Sequence, residues 1–278
     1  MAKSYKTNDR SKKSREEEMV THPFDNIWAQ WLKEGNLEQK IKDHLEQREK
    51  FLKFMKKILA KKLEKGAKIL EIGAGTAIDS SHLAKEFPYL KFYGTDISQG
   101  SIDLGKKIAK RMNAEIDLVL DDATVSRFPD ETFDLIFSQG VVEHFTDPSA
   151  IMSEQVRTLK KGGYLIIDVP QKFNPYTIYK HRRIDKGKWP YGWETEYSLW
   201  DLRRLGKKYG LKPLGSIGYG YGVGEDYNFY LISTFGERLR RKVPWLSFLG
   251  KAYTKVMRKT EEKFGAFFML SVVVEFKK

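Results

Sequence analysis

The sequence predicts an α/β fold in which a mostly parallel sheet is covered by helices on both faces. Three observations carry this. From Ala67 onward short apolar runs alternate with longer helical stretches, the first run ends in a glycine-rich turn, and acidic residues stand at the ends of the first three runs. A chain of 278 residues with 41% apolar composition suffices for one such domain with additions, without a second independent core.

The elements follow in order. Residues 1–20 are polar and highly charged, with little to bury, and read as a disordered tail. Residues 21–65 read as a helical extension: Ile41, Leu45, Phe51, Leu52, Met55, Ile58, Leu59 and Leu63 recur at roughly helical spacing, with lysines opposite. Trp28 and Trp31 near its beginning read either as packing residues or as part of a helical lid. The main domain is assigned to 66–278, with strands at Lys68–Ile72, Lys91–Asp96, Ile116–Leu120, Phe133–Ser138 and Tyr164–Val169. After Pro170 an aromatic segment, 171–200, leads to a helix over Ser198–Tyr209. Strands at Leu214–Tyr219 and Phe267–Phe276 complete the sheet, and a basic amphipathic insertion spans 236–263.

Composition excludes several function classes. With no cysteine there is no disulfide, thiolate metal site, iron–sulfur cluster or cysteine nucleophile. No apolar run reaches the roughly 18 residues of a membrane span, and the first residues lack the apolar core of a secretory signal, so a cytoplasmic location is expected. The net charge of +13 is uneven: +6 over 1–65, −5 over 66–170 and +12 over 171–278. Such a distribution places a cofactor in the acidic middle and an anionic partner or surface at the basic ends, unless the lysines are merely solvated helix faces.

The first strand runs into Glu71-Ile72-Gly73-Ala74-Gly75-Thr76-Ala77. Glycines here permit a tight bend and close approach of a ligand to the backbone, and the next helix offers free N–H groups. Ile78 occupies the place of the third glycine of the dinucleotide fingerprint, and no Gly-Lys-Ser/Thr follows, which disfavours both a nicotinamide enzyme and a phosphate-cradling loop. Asp96 at the second strand end can accept both hydroxyls of a ribose, and Asp122 at the third can face an adenine amino group. Glu71 suits a cationic sulfonium or ammonium better than an anionic pyrophosphate. Each acid also has a local reading: Asp96 as a helix cap, Asp122 as a solvated loop acid, Glu71 as a partner of backbone amides.

At these residues the chain resembles the class I S-adenosylmethionine-dependent methyltransferases, in particular the branch with small-molecule and lipid-pathway substrates. The resemblance covers about 66–170 and extends more weakly to the end. Glu71, Gly73, Ala74 and Gly75 match the first motif of that family, Asp96 with Ile97 the ribose-binding segment, and Asp122-Ala123 the adenine motif. Phe128-Pro129-Asp130-Glu131-Thr132-Phe133-Asp134 matches the approach to its fourth strand and Leu159-Lys160-Lys161-Gly162-Gly163 the turn before its fifth. The resemblance implies a Rossmann-like seven-stranded sheet with an antiparallel last strand, S-adenosyl-L-methionine as cofactor, and Gln139 as a contact to the methionine moiety.

Methyl transfer from a sulfonium needs an acceptor held in line and water kept out. A hydroxyl acceptor also needs a base, and His144 in Val141-Val142-Glu143-His144-Phe145 is the candidate, unless it only shapes the pocket. Tyr176, Tyr191 and Trp193 lie where acceptor sites of this fold are built, and read as pocket lining or as plain packing. Asn174-Pro175-Tyr176 follows the fifth strand instead of the fourth, so it is rejected as an amino-methyltransferase motif. No metal is implied. The expected function is methyl transfer to a small-molecule or lipid-linked acceptor, with possible contact of 236–263 with anionic membrane. An RNA methyltransferase using the basic flanks and a non-catalytic cofactor-binding protein are the alternatives.

Overall fold

The computed structural model describes residues 36–189, 193–220, 264–267 and 269–278, with no side-chain description at 175, 176 and 179. The tail at 1–20, the insertion at 236–263, Trp28, Trp31 and Tyr191 therefore lie outside the described residues.

The described chain begins with two helices, α1 (Leu37–Gln47) and α2 (Glu49–Lys62), divided at Arg48. Asn36 caps α1 by accepting the Glu38 N–H at 2.9 Å. α2 buries Phe51, Leu52, Met55, Ile58 and Leu59, the stripe expected of a helix covering a core.

Then come β1 (Lys68–Ile72), α3 (Ile78–Glu86), β2 (Lys91–Asp96), α4 (Gln99–Met112), β3 (Ile116–Leu120) and β4 (Phe133–Gln139). A single 3₁₀ turn, Val142–His144, precedes α5 (Ser149–Thr158), β5 (Leu159–Pro170), α6 (Pro175–Ile184), α7 (Leu199–Lys208), β6 (Lys212–Tyr219) and β7 (Ser271–Lys277).

The seven strands form one sheet in the order β3-β2-β1-β4-β5-β7-β6. β1 to β5 are mutually parallel, and β7 runs antiparallel between β5 and β6. Strand residues alternate between two cores. Ile69, Phe92, Leu135, Phe137 and Ile166 meet α2, while Leu70, Ile72, Ile136, Leu165 and Ile167 meet α5 and α7. Burial on both faces is why β1, β4 and β5 read as predominantly apolar runs, interrupted by Glu71, Asp134 and Asp168.

Several boundaries differ from expectation, and one helix was not anticipated. The final strand begins at Ser271, and 264–267 is helical. β5 starts at Leu159, because Phe133 pairs with Leu159 across a bulge. Helix α6 lies inside the aromatic segment, with Pro175 at its first position, where proline's fixed φ and missing N–H cost nothing.

Candidate functional site

The chain reverses direction between β1 and α3 through three left-handed residues, Gly73 (φ 66°), Gly75 (φ 52°) and Ala77 (φ 53°). A side chain at Gly73 would place its Cβ 2.4 Å from Val141 Cγ2 in the turn after β4, so only glycine lets these two loops approach. Asp96, the last residue of β2, fixes the loop: its Oδ2 accepts the Gly75 N–H at 2.9 Å and its Oδ1 accepts the Ser98 N–H at 2.9 Å. These bonds orient the Asp96 carboxylate at the end of β2, beside the glycine turn. Ile97 beside it is 59% exposed, an apolar surface ready to be covered.

Beyond β3 the two adjacent acids divide. Asp121 is buried and occupied by Ser126 Oγ and by the Arg127 backbone and guanidinium. Asp122 is exposed and takes the N–H and Oγ of Thr124 at 2.8 and 2.7 Å, and Ala123 packs against the core. Ile97, Asp122 and Ala123 thus stand at the ends of β2 and β3, next to the glycine turn after β1.

The other end of this edge is a buried polar cluster. Glu71 is hydrogen-bonded by Ser80 Oγ in α3. Burial, with Asp79 beside it, pushes the Glu71 carboxyl up to about 8. Asp79, in the first turn of α3, meets His44 Nε2 at 3.0 Å and accepts the Gln139 amide at 2.8 Å. Burial works against its charge, but His44 and Arg48 outweigh it and hold Asp79 below the usual carboxylate range. Arg48 reaches from the α1–α2 junction to Asp168 of β5 at 3.4 Å and to the hydroxyl of Tyr219 on β6, which itself donates to Asp168. Burial raises Asp168 to about 6 in spite of Arg48.

Glu71, Asp79 and Asp168 therefore face one guanidinium and one imidazole. The Gln139 Oε1 is buried with no hydrogen-bond partner in the structure. An orphaned acceptor beside an excess of carboxylates fits a ligand that brings a cation and N–H donors. The glycine turn and Asp96 fit a ribose next to it. The residues present thus fit the adenosyl cofactor that the resemblance implies.

The turn after β4 faces the segment that follows β5. His144 Nδ1 lies 3.2 Å from the Trp193 carbonyl, with the Gly140 carbonyl as a second partner. Burial lowers its pKa, so the ring is neutral at neutral pH. Glu143 is buried, and burial with Glu194 nearby drives its carboxyl well above the usual range. Its main-chain carbonyl accepts the Thr195 N–H at 2.8 Å. The buried Lys180 of α6 lies 2.7 Å from both Glu194 and Glu196, whose charges keep it protonated despite burial. Trp189 donates to Glu194 at 2.7 Å, and His181 meets Glu196 at 2.5 Å.

The structure thus gathers Glu71, Gly73, Ala74, Gly75, Asp96, Ile97, Asp122, Ala123 and Gln139 along the carboxyl edge of four neighbouring strands. Gln139 is the last residue of β4. His144 and Trp193 meet across the next gap. Tyr176 belongs to the first turn of α6, outside the side-chain description. Sequence reasoning missed Arg48, Asp79, Glu143 and Asp168. Asp168 had a signal, a charge inside the apolar run Leu165–Val169. Asp79 and Arg48 had none, since their partners are remote in the chain.

Residues 70–167 match the model of a family described as "Methyltransferase domain". The chain is 29% identical over 105 residues to phosphoethanolamine N-methyltransferase 3 of Arabidopsis thaliana, covering 38% of this chain and 21% of that protein. It is 29% identical over 152 residues to the demethylmenaquinone methyltransferase of Geobacillus sp. (strain WCH70), covering 54% of this chain and 62% of that one. The chain thus spans between about a fifth and three fifths of these relatives' lengths. Among solved structures it is similar to phosphoethanolamine N-methyltransferase 2 of Haemonchus contortus, in complex with S-adenosyl-L-methionine, with a TM-score of 0.54 and 19% identity over 82% of this chain and 51% of that one. At that identity the structural likeness establishes the fold alone.

Proposed function

We propose, from the match of residues 70–167 to the methyltransferase-domain family model, that the protein transfers a methyl group from S-adenosylmethionine to a small-molecule or lipid-linked acceptor. One observation carries the reading: an apolar flank, a ribose-orienting acid, a glycine turn and an acid-rich amide pocket stand in that order along β3-β2-β1-β4. The cofactor supplies an electrophilic methyl group on a sulfonium. Asp96 takes the ribose hydroxyls, Ile97 and Ala123 flank the adenine, and Asp122 accepts its amino group. Gly73 to Gly75 let the cofactor approach the backbone, while Glu71 and Gln139 receive the ammonium.

The acceptor enters past β4 and β5 beside Trp193, and Tyr176 and Tyr191, which the sequence reads as pocket lining, are assigned the same role. His144, neutral because it is buried, is the group placed to take a proton from a hydroxyl acceptor. The relatives named above act on small molecules by their names, which favours such an acceptor over RNA and catalysis over cofactor binding alone. We assign residues 21–65 as a helical cap on the catalytic domain at 66–278, and the protein to the cytoplasm. Among the described residues no helix is long and apolar enough to cross a membrane.

Calorimetry with the Asp96→Ala variant tests the reading. Loss of charge-assisted hydrogen bonds worth roughly 1.5–3 kcal/mol each should weaken cofactor binding at least about tenfold. Unchanged affinity in a folded variant would remove Asp96 from the site, and absence of cofactor binding by the parent protein would remove the cofactor assignment.

A further inference from the structure

Exposed apolar side chains scattered singly are ordinary on a protein surface, but a contiguous group is not. Phe173, Ile178, Trp200 and Phe264 are each more than half exposed, at 55, 61, 57 and 51%. Three of the contributing segments touch. The rings of Phe173 and Trp200 meet edge-on at 6.3 Å, and Trp200 packs on Phe267 at 5.1 Å. The loop after β5, the start of α7 and the helical turn before β7 therefore form one aromatic surface. It adjoins the Gln171–Tyr197 bridge at the carboxyl end of β5, on the acceptor side of the sheet.

Cations surround it. On α7 the outward positions Trp200, Arg204 and Lys207 follow one another at i, i+4 and i+7, while Leu199, Leu202 and Gly206 are buried opposite. A cleft of about 420 Å³ beside the rings is lined by Lys172, Arg204 and Lys208, with Glu196 and Asp201 as its acids. Arg204 and Lys172 each contact Asp201, at 2.7 and 3.8 Å, so one carboxylate is shared by two cations. On α6 the exposed Ile178 and Arg182 repeat the pairing of apolar group and cation at i and i+4.

We propose that this surface docks on an anionic lipid bilayer, with Phe173, Trp200 and Phe264 entering the interface and Lys172, Arg204 and Lys208 meeting lipid phosphates. Aromatic rings favour the headgroup depth, and cations near an anionic leaflet add attraction that salt weakens. A second copy of the chain fits less well, because it would bring like charges of two basic faces together. Docking in this orientation turns the acceptor side of the sheet toward the bilayer, so a lipid-embedded acceptor reaches the site without crossing open water. The inference does not depend on the methyl-transfer reading, since it concerns binding alone.

Sedimentation of the full chain with vesicles is the test, using phosphatidylcholine alone and phosphatidylcholine mixed with phosphatidylglycerol. The protein should sediment with the mixed vesicles at low salt, much less at high salt, and little with phosphatidylcholine alone. Trp200→Glu should weaken partitioning at least about tenfold, and Trp200→Phe should retain most of it. Because Trp200 is exposed, both variants should keep the parent circular dichroism and melting temperature. Failure to bind mixed vesicles at low salt overturns the proposal, as does binding that Trp200→Glu leaves unchanged. A dimer dissociated by Trp200→Glu in a chain that ignores vesicles reassigns the surface to a second copy. RNA binding lost in the same variant, again without vesicle binding, reassigns it to nucleic acid.

Discussion

Glu71 is a residue of the candidate site whose ionisation its surroundings shift strongly. An ionised carboxylate there is deprived of water and adjoins Asp79, so its pKa rises from 4.5 to about 8. The sign follows from linkage: when the folded pKa exceeds the unfolded one, the stabilising contribution is present below the unfolded value and is lost as pH rises through the folded one. The ligand-free protein should therefore lose stability between about pH 5 and about pH 8.5 as Glu71 ionises. Glu71→Gln, neutral and nearly isosteric, should flatten that decline in denaturant unfolding measured across the range. An equally steep decline in the variant would remove Glu71 as its source. His144 carries a second expectation. Burial lowers its pKa from 6.5, so a base at this position stays competent into mildly acidic conditions. His144→Ala should lower kcat on a hydroxyl acceptor by about a hundredfold or more with cofactor affinity intact, and should remove the acid limb of the kcat profile. Loss of cofactor affinity with kcat preserved would assign the ring to shaping the pocket.

At the scale of elements, α7 shows how one small residue sets a packing distance. Gly206 lies against the buried ring of Phe276 in β7, where an added Cβ would come within 2.2 Å of Cε1. The ring is enclosed and cannot yield, so overpacking should outweigh the gain in helix propensity of about 1 kcal/mol. Gly206→Ala should lower the melting temperature by several degrees in a thermal scan, and an unchanged or raised value would mean that the helix moves freely off the sheet. The same packing logic explains what could be read in advance. β1, β4 and β5 lie between helices, so burial on both sides makes them visible as apolar runs, and α2 and α7 show a one-sided stripe. α6 was not legible, because Tyr, Lys, His and Arg fill it and its burial comes from the Lys180–Glu194–Glu196 cluster instead of an apolar period. The strand-end positions of the residues proposed to hold the cofactor were readable because each follows its own strand in a local motif. Arg48, Asp79 and Asp168 were not, since only the folded sheet brings positions 48, 79 and 168 together.

At the scale of the whole molecule, that remote cluster joins the helical extension to the sheet edge. The Arg48 guanidinium serves Asp168 of β5 and Tyr219 of β6, and its Nε lies 4.0 Å from Asp79 of α3. Asp79 in turn holds the Gln139 amide and His44 of α1. Moving α1 away from the sheet would strip His44 and Arg48 from Asp79, the carboxylate that holds the Gln139 amide, so the position of the extension should be coupled to order around Gln139. Removing one member of a buried ion pair leaves its partner's charge uncompensated, at a cost of about 3–5 kcal/mol. Arg48→Ala should therefore destabilise the protein by about that amount, and Asp168→Asn in the same chain should restore part of it by removing one stranded carboxylate. If the coupling holds, cofactor should slow hydrogen exchange in α1 and α2 of the parent protein, and much less in Arg48→Ala. Exchange in these helices that is indifferent to cofactor would show that the extension covers the core without taking part in the site.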